Sequence, residues 1–394
     1  MNMRPAGMKF GTERTRALLD KLGSPDDRLE IIHVAGTNGK GSACEYLTHI
    51  LLAAGWRVGT YTTPEVFSFY DQFRIDGAAD KELADRCLRL ADVAAEGMAD
   101  RPTAYERQTA AALLMFAEAG CRYAVVECCM GGLLDTTNAI NKKAAAVITS
   151  ISLEHTAYLG DTLPQIARHK AGIIRDCPAV ISACVPQEVR PIFYARGARL
   201  SLPVGDIEEG EDGTSFTCGG RRYFTHMQGC MQPYNAAAAI TAAKLLGIEE
   251  AAAADGVSKA YAPGRLQKFA AGGTDYILDG AHNPESFIPL ARLLSSRYFG
   301  RRRTVVYGCL RDKDITSVLA VLNGCAERII AVAPPGYRAM DIDKILNCCR
   351  AAFTGASKAD CVSSALDSAD GDVVAVCGSF TLLKEAEEWI EKRL

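Results

Sequence analysis

Short apolar runs alternate with longer stretches of helical spacing along most of this chain. The runs at 31–35, 57–61, 123–127, 144–151 and 179–183 predict strands, and the stretches at 43–54, 81–95, 108–118 and 163–170 predict helices. Such alternation is the mark of a parallel sheet with helices on its faces. From 213 to 227 the pattern changes to short β-like pieces around Gly219-Gly220, a predicted hairpin on the first domain. Two further helices are predicted at 233–246 and 248–261, and Ala262-Pro263-Gly264-Arg265 then breaks the pattern. A second α/β series follows, with strands at 276–278, 304–307, 328–332 and 372–377. The boundary is placed at residue 264, giving domains 1–264 and 265–394; the second is long enough for one core. The run Ala236–Ala239 reads as a close-packed helix, and the chain shows no internal repeat or low-complexity tract.

Composition narrows the class. A chain of 394 residues exceeds one core, and 48% hydrophobic with 23% charged residues is ordinary for a globular enzyme. A net charge of −3 exerts no long-range pull on nucleic acid or acidic membrane. No signal peptide is expected, since Arg4, Pro5 and Lys9 have no apolar core behind them, and no stretch has the length of a membrane span. The 15 cysteines are scattered, two pairs are adjacent (Cys128-Cys129 and Cys348-Cys349), and no Cys-x-x-Cys occurs. Cys309 and Cys377 lie in apolar runs, where a thiol acts as a small hydrophobe; a reducing, cytoplasmic compartment is expected.

The chemistry begins at the turn after the first strand, Gly36-Thr37-Asn38-Gly39-Lys40-Gly41-Ser42. A glycine-rich turn between a buried strand and a helix gathers backbone N–H groups and a helix N-terminus around one point, which suits a polyphosphate. Lys40 is placed to neutralise the β/γ-phosphates and the Ser42 hydroxyl to meet their Mg²⁺. The turn departs from the ordinary P-loop pattern: Val34 stands where its first Gly falls, and Gly41 follows the Lys. A chance strand–turn–helix corner is the plain alternative.

Four clusters lie at or beside other strand ends: Thr62-Thr63-Pro64-Glu65; Glu127 with the following 128–138; Glu154-His155-Thr156; and His169-Lys170-Ala171-Gly172. A hydroxyl, a carboxylate and an imidazole on neighbouring strand tips could complete an Mg²⁺ shell. Taken singly, Glu127 reads equally as a solvated strand end and His155 as a cap. The second domain offers Asp279-Gly280-Ala281-His282-Asn283-Pro284 after its first strand and Gly378-Ser379-Phe380 after its last. Asp-Gly is also common turn chemistry, and Arg301-Arg302-Arg303 reads as a solvated edge.

The phosphate loop resembles that of Mur ligase-type enzymes, and more closely the folylpolyglutamate synthase/dihydrofolate synthase family. The resemblance runs nearly the whole chain in order. It takes in Met8 to Arg14, Thr62-Thr63-Pro64, Tyr105-Glu106 with Thr109, Glu127 to Asn138, Glu154-His155-Thr156 and Lys170 to Ile173. It continues through Gln232 with Asn235, Pro263-Gly264-Arg265, Asp279 to Pro284, Asp312-Lys313-Asp314 and Gly378-Ser379. The resemblance implies an α/β architecture, with an N-terminal P-loop-type parallel-sheet ATPase domain and a smaller C-terminal Rossmann-like domain. It implies a monomeric, ATP- and Mg²⁺-dependent amide ligase that adds L-glutamate to dihydropteroate or a reduced folate through an acyl phosphate.

Site residues follow from the same resemblance. Asn38, Gly39, Lys40, Gly41 and Ser42 would bind ATP, with Asn235, Arg265 and Asp279. Metal ligands would be Ser42, Thr63, Glu127 and His155, and Lys170 would be the lysine that the family commonly carbamylates. Lys40, His155 and Lys170 would carry the chemistry. Tyr105, Glu106, Leu134, Asp135, Thr136, His282 and Ser379 would face the acceptor and glutamate. Six departures fall in or beside these motifs: Thr63 for Ser, Glu65 for His, Leu133 for Arg, Glu154 for Asp, His169 for Glu and Met231 for His. A Mur-type ligase for another carboxylate or amine, or a nucleotide-binding module without catalysis, are the alternatives. The metal set argues against the second.

Overall fold

The computed structural model describes residues 10–394, so Met8 and Lys9 of the opening segment lie outside the described residues. The chain divides into two compact units. The first comprises residues up to Thr63, Tyr70–His226 and Met231–Tyr261; the second comprises Ala262–Leu394 with the segments Pro64–Phe69 and Met227–Cys230.

The first unit is built on strands β1 (Glu30–Ala35), β2 (Val58–Tyr61), β3 (Phe73–Ile75), β4 (Ala78–Ala79), β5 (Tyr123–Glu127), β6 (Ala145–Ile148), β7 (Ala179–Ile181) and β8 (Ala198–Leu200). Their order is β4-β3-β2-β5-β1-β6-β7-β8, parallel from β2 through β8, with β3 and β4 antiparallel at one edge. β1, β2, β5, β6 and β7 carry almost no exposed residue, as expected of parallel strands covered on both faces. On one face Ile31, Tyr61, Phe73, Ala124 and Val126 pack with Leu18, Ala91 and Phe116 from the flanking helices. Gly59 lets Phe116 lie against β2, because a Cβ there would stand 2.2 Å from its ring.

On the opposite side, the helix Lys40–Ala53 packs against Gln232–Leu245 and Glu250–Lys259. Small side chains allow the approach: Ala236–Ala239 are all buried, and a Cβ on Gly256 would meet the Ile50 backbone at 2.4 Å. The expected hairpin is a three-stranded antiparallel sheet, since β9 (Val204–Glu209) joins β10 (Thr214–Cys218) and β11 (Arg221–Thr225). β9 is half-exposed and acidic at its end, so it lacks the alternation that would reveal it.

The second unit holds β12 (Gln267–Ala271), β13 (Thr274–Asp279), β14 (Arg303–Tyr307), β15 (Arg328–Ala331), β16 (Gly355–Lys358) and β17 (Val373–Cys377), in the order β12-β13-β17-β14-β15-β16. All pair in parallel except β12. Two expectations change here. Arg303 is buried inside β14 and paired with Glu327 rather than solvated, while Arg301 and Arg302 bond Asp275 and Asp372. Cys309 lies just beyond β14, although it is buried as expected, and all fifteen cysteines are free thiols. Among the described residues no helix is long and apolar enough to cross a membrane.

Candidate active site

Strand order brings the phosphate-loop and cation candidates of the first unit to one end of the sheet. β1 lies between β5 and β6, with Val34 opposite Glu127 and Ala35 opposite Ile148. Thr63 follows β2, Glu127 ends β5, the phosphate loop leaves β1, and His155 lies beyond β6. The chain crosses from β1 to β2 on one side and from β6 to β7 on the other. That arrangement is a switch point, where open α/β sheets bind ligands beyond their carboxyl ends.

The loop is held from β6. Thr149 Oγ1 donates to Asn38 O at 2.6 Å, and Ser150 Oγ accepts from Asn38 N–H at 2.9 Å. Thr37 N–H bonds Ser150 O at 2.9 Å. A Cβ on Gly36 would stand 1.9 Å from Thr149 Oγ1, and one on Gly39 (φ +82°) 2.4 Å from Asn235 Oδ1. The helix begins at Lys40, three residues before the expected 43, because Gly39 takes the left-handed N-cap conformation. Lys40, Gly41 and Ser42 thus form its first turn. Ala43 N–H is the first to reach back, to Gly39 O at 2.9 Å, so the three preceding N–H groups lie ahead of the intrahelical ladder.

Two lysines grip this loop. Lys40 Nζ donates to Thr37 O at 2.9 Å, and the buried Lys170 Nζ donates to Gly36 O at 2.7 Å. Burial, then the neighbouring Lys40 charge, pushes the Lys170 amine down to about 8. Gln232 Nε2 donates to Ser42 Oγ at 3.3 Å, and Asn235 Nδ2 to Gln232 Oε1 at 3.3 Å.

For the cation, Glu127 is buried, with Thr63 N–H 3.3 Å from its Oε2. His155 is a left-handed N-cap (φ 52°) of the short helix Thr156–Leu159. Two hydroxyls and one carboxylate are hard oxygen donors of the kind that suit Mg²⁺ beside phosphates, so the residues present fit the group. A protein-only cage is a different matter: among the described residues no three His, Cys, Asp or Glu side chains converge.

The acceptor-side candidates separate by environment. Glu106 is buried within the capping box of the helix Ala104–Glu118 and paired to Arg14 at 2.9 Å, so its carboxylate is committed to the fold. The helix starts four residues before the expected 108 because Thr103 and Glu106 cap it. Tyr105 stacks on Tyr61 at 6.3 Å, with its buried hydroxyl unbonded. Asp135 accepts from Met130 N–H, Thr137 N–H and Thr137 Oγ1, shaping the one-turn helix Thr136–Ala139. Leu133 and Leu134 stay 46% and 44% exposed on that tightly bonded turn.

In the second unit, Asp279 ends β13, buried, and accepts Ala281 N–H at 2.9 Å. Gly280 has no room for a side chain, since a Cβ would stand 2.3 Å from the Phe380 ring. Arg265 lies over that ring at 4.6 Å, and His282 Nδ1 bonds Gly280 O at 2.9 Å. Ser379 is buried and caps its own turn, accepting Thr381 N–H at 3.3 Å. Burial pushes the Asp279 carboxyl up to about 6, against opposing pulls from Arg265 and backbone N–H groups. A carboxyl whose folded pKa exceeds its unfolded value costs stability as pH rises, here between about 4 and 6. Asp279→Asn is therefore expected to flatten stability against pH in that window and to raise stability at pH 7 by up to about 3 kcal/mol. Urea unfolding of both proteins at pH 4, 6 and 7 checks this; an unchanged slope would refute the burial assignment.

Sequence reasoning missed Thr149 and Ser150, which clamp the loop, and Arg74, whose partners lie on two elements. A hydroxyl pair at a strand end beside the phosphate-loop strand was the available signal for the first two.

Residues 34–243 match the Mur ligase middle domain, and residues 264–380 match the Mur ligase glutamate ligase domain. The chain is 32% identical to the dihydrofolate synthase/folylpolyglutamate synthase of Escherichia coli strain K12, covering 100% of this chain and 94% of that protein. It superposes on the Mycobacterium tuberculosis folylpolyglutamate synthase complexed with ADP and AMPPCP (TM-score 0.89, 27% identity, 96% and 95% of the two chains). It also superposes on the bifunctional folylpolyglutamate synthase/dihydrofolate synthase of Yersinia pestis complexed with AMPPNP and Mn ion (TM-score 0.84, 28% identity, 99% and 96%). The chain belongs to the Mur ligase family, among its folylpolyglutamate and dihydrofolate synthases.

Proposed function

We propose that this enzyme uses ATP to join L-glutamate to the carboxylate of dihydropteroate, of a reduced folate, or of both, releasing ADP and phosphate. The observation that carries the reading is the phosphate loop, with Lys40 and three helix N–H groups at the tip of β1 beside the buried Glu127 on β5. In this reaction the acceptor carboxylate attacks the γ-phosphorus of ATP, forming a C–O–P bond as ADP leaves. The glutamate amine then attacks the acyl carbonyl, and phosphate departs as the amide forms.

The chain's own residues divide this work. N–H groups of Lys40, Gly41 and Ser42 hold phosphate oxygens, and the Lys40 ammonium offsets charge building between triphosphate and carboxylate. Ser42, Thr63, Glu127 and His155 would hold Mg²⁺, which supplies further charge neutralisation when bound. Lys170, with its amine pushed down to about 8, is partly uncharged near neutrality, the state in which an amine takes up CO₂. Asn235, Arg265 and Asp279 would contact the nucleotide; Tyr105, Leu134, Thr136, His282 and Ser379 are assigned to the acceptor and glutamate, whereas the carboxylates of Glu106 and Asp135 are taken up by Arg14 and the 130–137 turn. A monomer in the cytoplasm completes the reading, because fifteen free thiols suit a reducing compartment.

The test is ADP release by purified enzyme with Mg-ATP and glutamate, comparing dihydropteroate, tetrahydrofolate and no acceptor. Turnover with dihydropteroate alone identifies a dihydrofolate synthase, and turnover with both a bifunctional enzyme. Silence with both, from folded protein that binds ATP, would overturn the acceptor assignment. The exposed Leu133, which stands where the family has an arginine, favours a different carboxylate in that event.

A further inference from the structure

A buried ion pair beside the phosphate loop has no part in the chemistry above. Arg74, on β3, meets Glu45 of the helix Lys40–Ala53 through two bonds, Nη1 to Oε2 at 3.1 Å and Nη2 to Oε1 at 2.5 Å. The two side chains are only 13% and 5% exposed. Arg74 Nη2 also donates to Thr62 Oγ1 at 3.3 Å, and Arg74 Nε is buried without a hydrogen bond.

Stability is a poor reason for this arrangement. Removing two charges from water costs several kcal/mol, and a buried pair often does no better than apolar residues of the same volume. The helix is also tied to β2 without it, through a buried Thr48–Thr60 hydroxyl bond at 2.7 Å. What the pair adds is directional. The planar fork ties Glu45 and Thr62 to one guanidinium, and a bidentate geometry tolerates little displacement. Glu45 lies one turn beyond Ser42 on the same helix, and Thr62 adjoins Thr63. Thr63 N–H in turn meets Glu127 Oε2 at 3.3 Å. Thr63 is also the last residue of the first unit before the chain enters the segment Pro64–Phe69.

We propose that Arg74 is a positioning residue: by bridging Glu45 to Thr62 it fixes the Thr62–Thr63 turn against the phosphate-loop helix, and so sets the separation of the Thr63 and Ser42 hydroxyls offered to the nucleotide's divalent cation. The inference rests on the reading of Ser42, Thr63 and Glu127 as cation ligands. Residues behind metal ligands typically change metal affinity by about 10- to 100-fold when altered.

The test measures Mn²⁺ binding by electron paramagnetic resonance in the presence of AMPPNP, without turnover, alongside thermal unfolding. Thr62→Val removes only the third bond and is expected to weaken Mn²⁺ several-fold, with Tm nearly unchanged. Arg74→Met alone strands the Glu45 carboxylate and can fail to fold, so it is paired with Glu45→Met. That double variant is expected to unfold at or above the parental Tm, yet to bind Mn²⁺ at least about tenfold more weakly. Arg74→Lys keeps the charge without the fork and should not restore affinity. Parental Mn²⁺ affinity in Thr62→Val and in the folded double variant would overturn the proposal. Ser42→Ala separates the two failures: if it too leaves Mn²⁺ affinity unchanged, the ligand reading itself falls and the positioning role with it.

Discussion

Lys40→Ala is expected to lower glutamate-dependent ADP formation by about 10³-fold or more while leaving the Tm within a degree or two. Lys40 is only half-buried, and its ammonium makes one protein bond, to Thr37 O at 2.9 Å, so the fold loses little. The reaction loses more. Triphosphate and carboxylate oxygens repel as they approach, and a fixed cation aimed at that developing charge typically contributes several kcal/mol. A second readout follows from the same geometry. Lys40 is the largest charge effect lowering the Lys170 amine, after burial, so its removal should raise the Lys170 pKa. His155→Ala is expected to match the loss of activity through the cation. Near-parental ADP release in either folded variant would sink the site assignment.

Gly36→Ala should abolish detectable nucleotide binding, a loss of at least about 10²-fold, and destabilise the first unit by about 1–3 kcal/mol. Its Cβ would stand 1.9 Å from Thr149 Oγ1 and 3.1 Å from Ser150 N. Thr149 and Ser150 hold Asn38 in place, and Gly36 O receives Lys170, so one methyl group disturbs three of the clamps on the loop. Thr149→Ala alone loses the Asn38 bond, worth about 1 kcal/mol. In the double variant the missing hydroxyl makes room for the methyl, so the two effects should fall well short of additive. Isothermal titration with AMPPNP on all four proteins decides this; strict additivity would mean that the contact with Thr149 is not what excludes a side chain at Gly36.

Much of this enzyme can be read along the chain, for reasons that are local. β1, β2, β5, β14 and β17 announce themselves because strands covered on both faces are apolar throughout, and the phosphate loop because glycine, lysine and serine must fall in one turn. Edge elements are another matter. β3, β4, β9, β12 and β16 are short or half-exposed, so their composition carries no apolar run. Helix starts were displaced at Lys40 and Ala104, where a left-handed glycine in one case and a capping box in the other decide the first turn.

The sequence alone determined the α/β class, the order of its motifs and which residues are proposed to bind phosphate and cation, because each depends on neighbours in the chain. Tertiary structure alone decided which side chains remain available for chemistry. Glu106 and Asp135 look like substrate carboxylates until Arg14 and the 130–137 turn are seen to occupy them. Thr149, Ser150 and Arg74 look ordinary until strand order brings them to the loop and its helix. Strand order joins residues far apart in the chain, and a hydrogen bond depends on distance in space rather than separation in sequence.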